Sequence, residues 1–170
     1  AADIDPTNEG LDMWSANSGG VRNVKGELIL PTEYEEPTMD ENKRRGMSTN
    51  FGIWWDGDLL RELLDHETVQ KYDWKTGRVN VIKRFDGSFN NGTKSNPCLS
   101  GDILGDWREE VLVRDAQSTM LKLYTTDIPT DHRITCLMQD VPYRLSIATE
   151  NVAYNQPPEP GFYLGVGMKK

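Results

Sequence analysis

Three aspartate-rich stretches recur along the chain, each running into a short apolar segment: ADIDPTNEGLDMW, WDGDLLRELLD and GDILGDWREEVLV. Their first aspartates, Asp3, Asp56 and Asp102, recur at roughly 40–50 residues, the length of a four-stranded blade in an all-β repeat architecture. Between them the apolar segments are strand-sized and rich in β-branched or aromatic residues. They include Val79–Phe85, Glu110–Val113, Met120–Thr125, Arg133–Met138 and Arg144–Ala148. Turn signals separate them: KTG at 75–77, DG at 86–87, NNG at 90–92 and prolines at 157–160. Only LLRELL, Leu59–Leu64, hints at a helix. The pattern predicts an all-β chain of about three four-stranded antiparallel blades, divided near 1–55, 56–101 and 102–170. Three blades do not close a ring of ~4–8, so the chain is expected to be part of a larger propeller.

Composition narrows the partners. The 170 residues carry 27 acidic against 19 basic side chains, a formal net charge of −8. Phosphate binding needs a basic face, so nucleic acid is not an expected ligand. No apolar run approaches the ~20 residues of a membrane span. The opening AADIDPTNEG has neither a basic nor an apolar region, so no signal peptide is expected within this sequence. Cys98 and Cys136 leave two readings open, one disulfide or two free thiols. The polar stretch Thr32–Asn50 reads as a connecting loop, its KRR at 43–45 solvated among acids.

Closely spaced aspartates with glycine suit Ca²⁺, a hard cation that takes several oxygen ligands. The candidates are Asp3 and Asp5; Asp56, Asp58 and Glu62; and Asp102, Asp106 and Glu109, with the ions bracing the blades. The competing reading is that these aspartates only shape turns.

Two further strings, NGTKSNP at 91–97 and NVAYNQPP at 151–158, carry a resemblance. With DGSFN before the first, and LSGDILGDWREEVLVRD and LYTTDIPTDHRITCLMQDVPYRLSIATE between the two, they closely resemble the C-terminal part of the family 11 polysaccharide lyases. These are rhamnogalacturonan lyases of pectin-degrading bacteria, and STNFGIWWDGDLLRELLD and ADIDPTNEGLDMWS fit the same family. The resemblance implies an eight-bladed propeller of three to four times this length. It implies Ca²⁺ as cofactor, with one groove ion held by Asn91, Gly92, Thr93, Asn151 and Ala153. Lys94 and Tyr154 are implied to face the substrate. Glu159 stands where the family suggests histidine.

The implied reaction is β-elimination from the rhamnogalacturonan I backbone, between rhamnose and galacturonate, leaving a 4,5-unsaturated galacturonate. The galacturonate C5 proton is only weakly acidic beside a charged carboxylate, and a cation on that carboxylate acidifies it. Lysine then serves as base if its pKa is lowered. Lys94 and Tyr154 are the expected catalytic pair, with His66 and His132 as further proton-transfer candidates. Trp54, Trp55, Trp74 and Trp107 are expected mainly to pack the blades. Missing blades, or a second copy, are the expected protein partners, and a pectin substrate points to a secreted or periplasmic protein. The alternative is a calcium-braced segment or sugar-binding module with no activity of its own.

Overall fold

A computed structural model describes residues 1–33, 47–152 and 156–168. Among the described residues, seven strands form two antiparallel sheets. The first has the order β1 (Phe51–Ile53), β2 (Glu62–Asp65), β3 (Thr68–Asp73) and β4 (Arg78–Arg84). The second has three strands, β5 (Leu99–Gly101), β6 (Glu110–Arg114) and β7 (Leu121–Tyr124). Residues 1–33 add an antiparallel meander held by the bridges Ala2↔Asp12, Met13↔Arg22 and Arg22↔Leu28. The chain is thus largely β, with antiparallel pairing and little helix.

The three parts stack as layers. Phe51, Ile53, Trp55, Leu64, Val69 and Phe85 of the first sheet bury against Val111 and Val113 of the second. The opposite face, through Tyr72 and Val79, packs on Ala2, Ile4 and Val21 of the meander. Strand β2 therefore has both faces covered, which explains its sequence: Glu62, Leu63 and Leu64 are all buried. A short apolar run of this kind reads equally as helix or buried strand, and LLRELL proves to be loop and then strand. Gly52, opposite Leu63, leaves room for Arg61, since a Cβ there would come within 2.7 Å of its Nε.

Val79–Phe85, Glu110–Val113 and Met120–Thr125 form β4, β6 and β7 as expected, to within a residue or two. Arg144–Ala148 does not form a strand. It lies in the α-helix Val141–Thr149, because Asp140 caps the first turn by accepting from Tyr143 N (3.0 Å) and Pro142 suits a first-turn position. Arg133–Met138 is irregular, ending in a 3₁₀ turn over Leu137–Gln139. Trp54, Trp107, Leu137, Tyr143 and Leu164 form a third core. Each acidic loop lies inside the first hairpin of its layer, so the expected divisions at 55 and 101 cut hairpins rather than separate sheets. The second sheet has three strands where four were expected. No helix among the described residues is long and apolar enough to cross a membrane.

Candidate functional site

The two strings that carried the resemblance are brought together. Asn90 and Asn96 pair through their backbones (2.7 and 3.2 Å), closing a loop whose tip is the 3₁₀ turn Gly92–Lys94. Three residues of this loop take left-handed backbone, Asn91 (φ 58), Gly92 (φ 51) and Ser95 (φ 47). Asparagine and glycine accept that conformation readily. Serine does not, and a non-glycine residue there costs about 1–2 kcal/mol. The Ser95 hydroxyl donates to Gly92 O (2.9 Å), holding the turn. Asn50 Nδ2 donates to Lys94 O, tying the tip to the start of the first sheet.

The C-terminal end of the helix supplies the other side. Asn151 Nδ2 donates to Cys98 O (2.9 Å) and Pro97 O (3.3 Å), and Asn96 Nδ2 donates to Asn151 Oδ1. Glu150 is buried, and its carboxylate accepts from Ser100 N and Ser100 Oγ (2.8–3.0 Å). Burial pushes its pKa up to about 7. Asn96 was not singled out from sequence, yet it is fully buried and its Oδ1 has no partner among the described residues. An orphaned amide oxygen on the side chain that bonds Asn151 is the donor chemistry a hard cation takes, so the residues fit Ca²⁺. Ala153 and Tyr154 lie outside the described residues, as do Lys43, Arg44 and Arg45. Thr93 contributes its backbone to the turn.

The acidic loops share one construction. A buried acid opening the second strand accepts from two successive backbone N–H groups of the loop. Asp12 accepts from Ile4 N (3.0 Å) and Asp5 N (2.9 Å), and Glu62 from Trp55 N (2.8 Å) and Asp56 N (3.2 Å). Glu110 accepts from Ile103 N and Leu104 N, both at 2.9 Å. The register is the same in each, with Ala2↔Asp12, Ile53↔Glu62 and Gly101↔Glu110. The counterpart of Glu62 in the third loop is therefore Glu110, not Glu109. Glu109 instead faces the third core, accepting from Tyr143 Oη (2.6 Å) and Trp54 N (2.9 Å). Burial raises its pKa to about 7, against the pull of Arg61.

The remaining candidates are held differently in each loop. In the first, Asp3 accepts from Tyr163 Oη (2.7 Å) and Val166 N (2.6 Å), and Asp5 from Thr7. The other oxygens of Asp3 and Asp12 are buried without partners among the described residues, and burial pushes Asp12 up to about 6. In the second, Asp56, Asp58 and Glu62 place carboxylate oxygens within 4.8 Å of one another. Lys71 Nζ sits among them, 2.6–2.9 Å from each carboxylate. In the third, Asp102 accepts from Gly105 N and Leu137 N, and Asp106 pairs with Arg108.

Trp54, Trp55 and Trp107 are buried, and Trp74 packs against the core formed by Ala2, Ile4, Val21 and Tyr72, so they serve packing. His66 sits in the β2–β3 turn beside Asp65, and His132 lies edge-on to Trp107. Cys98 and Cys136 are both free thiols. Glu159 finds its partner in Arg61, whose Nη1 donates to it at 2.6 Å while the guanidinium stacks on Trp54 at 4.3 Å.

The whole chain, residues 1–170, matches the family model described as the rhamnogalacturonan lyase family 11 C-terminal domain. It is 47% identical over 172 residues to the rhamnogalacturonan endolyase YesW of Bacillus subtilis (strain 168), covering 99% of this chain and 25% of that protein. It is 44% identical over 179 residues to the rhamnogalacturonan exolyase YesX of the same organism, covering 100% of this chain and 28% of YesX. Among solved structures, a rhamnogalacturonan lyase of family 11 from Bacillus licheniformis superposes with a TM-score of 0.85 at 49% identity. That match covers 99% of this chain and 27% of the other. The chain thus spans about a quarter of the length of the relatives it matches, and it belongs to rhamnogalacturonan lyase family 11, as the C-terminal domain.

Proposed function

We propose that this chain is the C-terminal arc of a calcium-dependent rhamnogalacturonan lyase built as a β-propeller. Its parent would cleave the rhamnogalacturonan I backbone by β-elimination, leaving a 4,5-unsaturated galacturonate. The observation that carries this reading is the knot between the loop 90–97 and Asn151, which leaves the buried Asn96 Oδ1 without a partner among the described residues. The three stacked layers are then neighbouring blades. The outer face of the second sheet, with Leu121 and Leu123 exposed, is where a further blade or a second copy would pack. A pectin polymer as substrate places the protein in the periplasm or outside the cell.

Asn91, Gly92, Thr93, Asn151 and, outside the described residues, Ala153 would hold the groove cation. Such an ion draws charge from a uronate carboxylate and acidifies the neighbouring C5 proton. In the first loop the unpartnered buried oxygens of Asp3 and Asp12, with Asp5, suit a bracing ion. Lys94 sits one turn from the Asn91–Gly92 backbone, on a tip fixed by Asn50, and there it would take the C5 proton. Tyr154 would donate to or accept from the same centre. In the full-length parent, Lys94→Ala should cut elimination, read as the ultraviolet absorbance of the unsaturated product, by ~10²–10⁴. Folding should be retained. A rate within threefold of wild type would make Lys94 a turn residue. Tyr154→Phe should lose rate without losing stability.

A further inference from the structure

The second acidic loop differs from the other two in what it holds. Its three carboxylates surround an ammonium: Lys71 Nζ lies 2.7 Å from Asp56 Oδ2, 2.8 and 2.9 Å from the two Asp58 oxygens and 2.6 Å from Glu62 Oε1. We infer that Lys71 is the resident cation of this loop, so that Asp56, Asp58 and Glu62 are closed by a built-in charge and take no divalent ion while Lys71 is present.

Register explains how the lysine arrives. Leu63 pairs with Gln70 and Leu64 with Val69, so Lys71 stands on β3 opposite Glu62. In the second sheet Val111 pairs with Tyr124, which sets Thr125 opposite Glu110, and its hydroxyl donates to Glu110 Oε1 at 3.1 Å. In the meander Met13 pairs with Arg22, which sets Asn23 opposite Asp12. The facing position therefore brings an ammonium to the second loop and a hydroxyl to the third, whereas Asn23 beside the first turns its amide to Glu27 (2.8 Å).

The consequences match the charges. Like-charged carboxylates repel, and a cation set between them offsets that repulsion. Among the described residues, the one acidic trio compact enough to hold a metal is the one with a lysine at its centre. Among the described residues no ammonium bonds the first loop, and oxygens of Asp3 and Asp12 are left buried and unpartnered there, whereas no oxygen of Asp56, Asp58 or Glu62 is. Burial disfavours the Lys71 charge, but the carboxylates outweigh it and hold its pKa above the ordinary lysine value. Compactness of the trio is thus the mark of the ammonium rather than of a metal ion.

The test counts ions, not activity, so its outcome is independent of the lyase reading. The full-length protein and its Lys71→Met variant are stripped of metal and titrated with calcium chloride, and bound Ca²⁺ is measured by calorimetry and elemental analysis. The variant should bind one more Ca²⁺ per chain than wild type, with a Kd below ~1 mM, and an equal count in a folded variant overturns the inference. If the variant does not fold, reductive methylation of wild type decides. Lys71 should label at least tenfold more slowly than Lys75, with or without excess Ca²⁺. Ca²⁺-induced labelling of Lys71 would show that the ion displaces it and that the loop is a metal site after all.

Discussion

Removing one hydroxyl from the third core should reveal how much of the fold rests on a single polar contact. Tyr143 is fully buried, its Oη donating to Glu109 Oε1 at 2.6 Å and accepting from Asp102 N at 2.8 Å. Tyr143→Phe keeps the ring and strands both partners. An unmet buried donor costs about 1–3 kcal/mol and an unmet carboxylate more, so the variant should lose roughly 3–4 kcal/mol at pH 8.5. The loss should also depend on pH. Burial raises the Glu109 pKa to about 7, so it is ionised at pH 8.5 and largely protonated at pH 5.5. A neutral carboxylic acid misses the donor less, and the deficit should shrink by about 1–2 kcal/mol at pH 5.5. Urea unfolding of the chain and its variant at the two pH values measures both numbers. A loss below 1 kcal/mol at pH 8.5, or one equal at both, would refute the assigned network.

Arg61→Ala should destabilise the chain by about 3–5 kcal/mol, because it leaves the Pro158 and Gly52 carbonyls and Glu159 without their shared donor. Arg61→Lys should rescue little, lacking the planar fork that stacks on Trp54, whereas Glu159→Ala should be milder since that side chain is half exposed. Thermal unfolding of the three variants checks the order. Burial lifts the Asp12 pKa from 3.8 to about 6, so the folded chain binds a proton there more tightly than the unfolded one. That contribution to stability is present below about pH 4 and is lost as the pH rises to 6. Added Ca²⁺ should flatten the decline, and a melting temperature unaffected by Ca²⁺ at pH 7 would remove the first loop from the proposed bracing sites.

The strands were legible where polar and apolar residues alternate over several positions, as in Val79–Phe85 and Met120–Thr125. LLRELL and RLSIA misled for opposite reasons. β2 is covered on both faces and so shows no alternation, while the helix declares itself mainly at Asp140 and Pro142, just before the segment taken for a strand. The acidic repeat was visible, but the choice between Glu109 and Glu110 depends on hairpin register, which a one-residue shift reverses. The contacts of Lys71 and Glu159 were out of reach. The partners lie across a hairpin or, for Glu159 and Arg61, 98 residues apart in the chain, and no local pattern marks such contacts. Asn96 was inside a quoted string, yet only its burial shows it apart from its neighbours.

Glu109 and Trp54 also set a rule for recombining these proteins. Trp54 N donates to the Glu109 carboxylate at 2.9 Å, and Glu109 N returns a bond to Trp54 O at 2.8 Å. The loop of one sheet is thereby stitched to the loop of the next. A chimera that joins an endo-acting to an exo-acting relative with its crossover between 54 and 109 would inherit the two halves of this stitch from different parents. Exchanges made outside that interval keep it whole, so swapped units in this family are better drawn as pairs of sheets than as single ones.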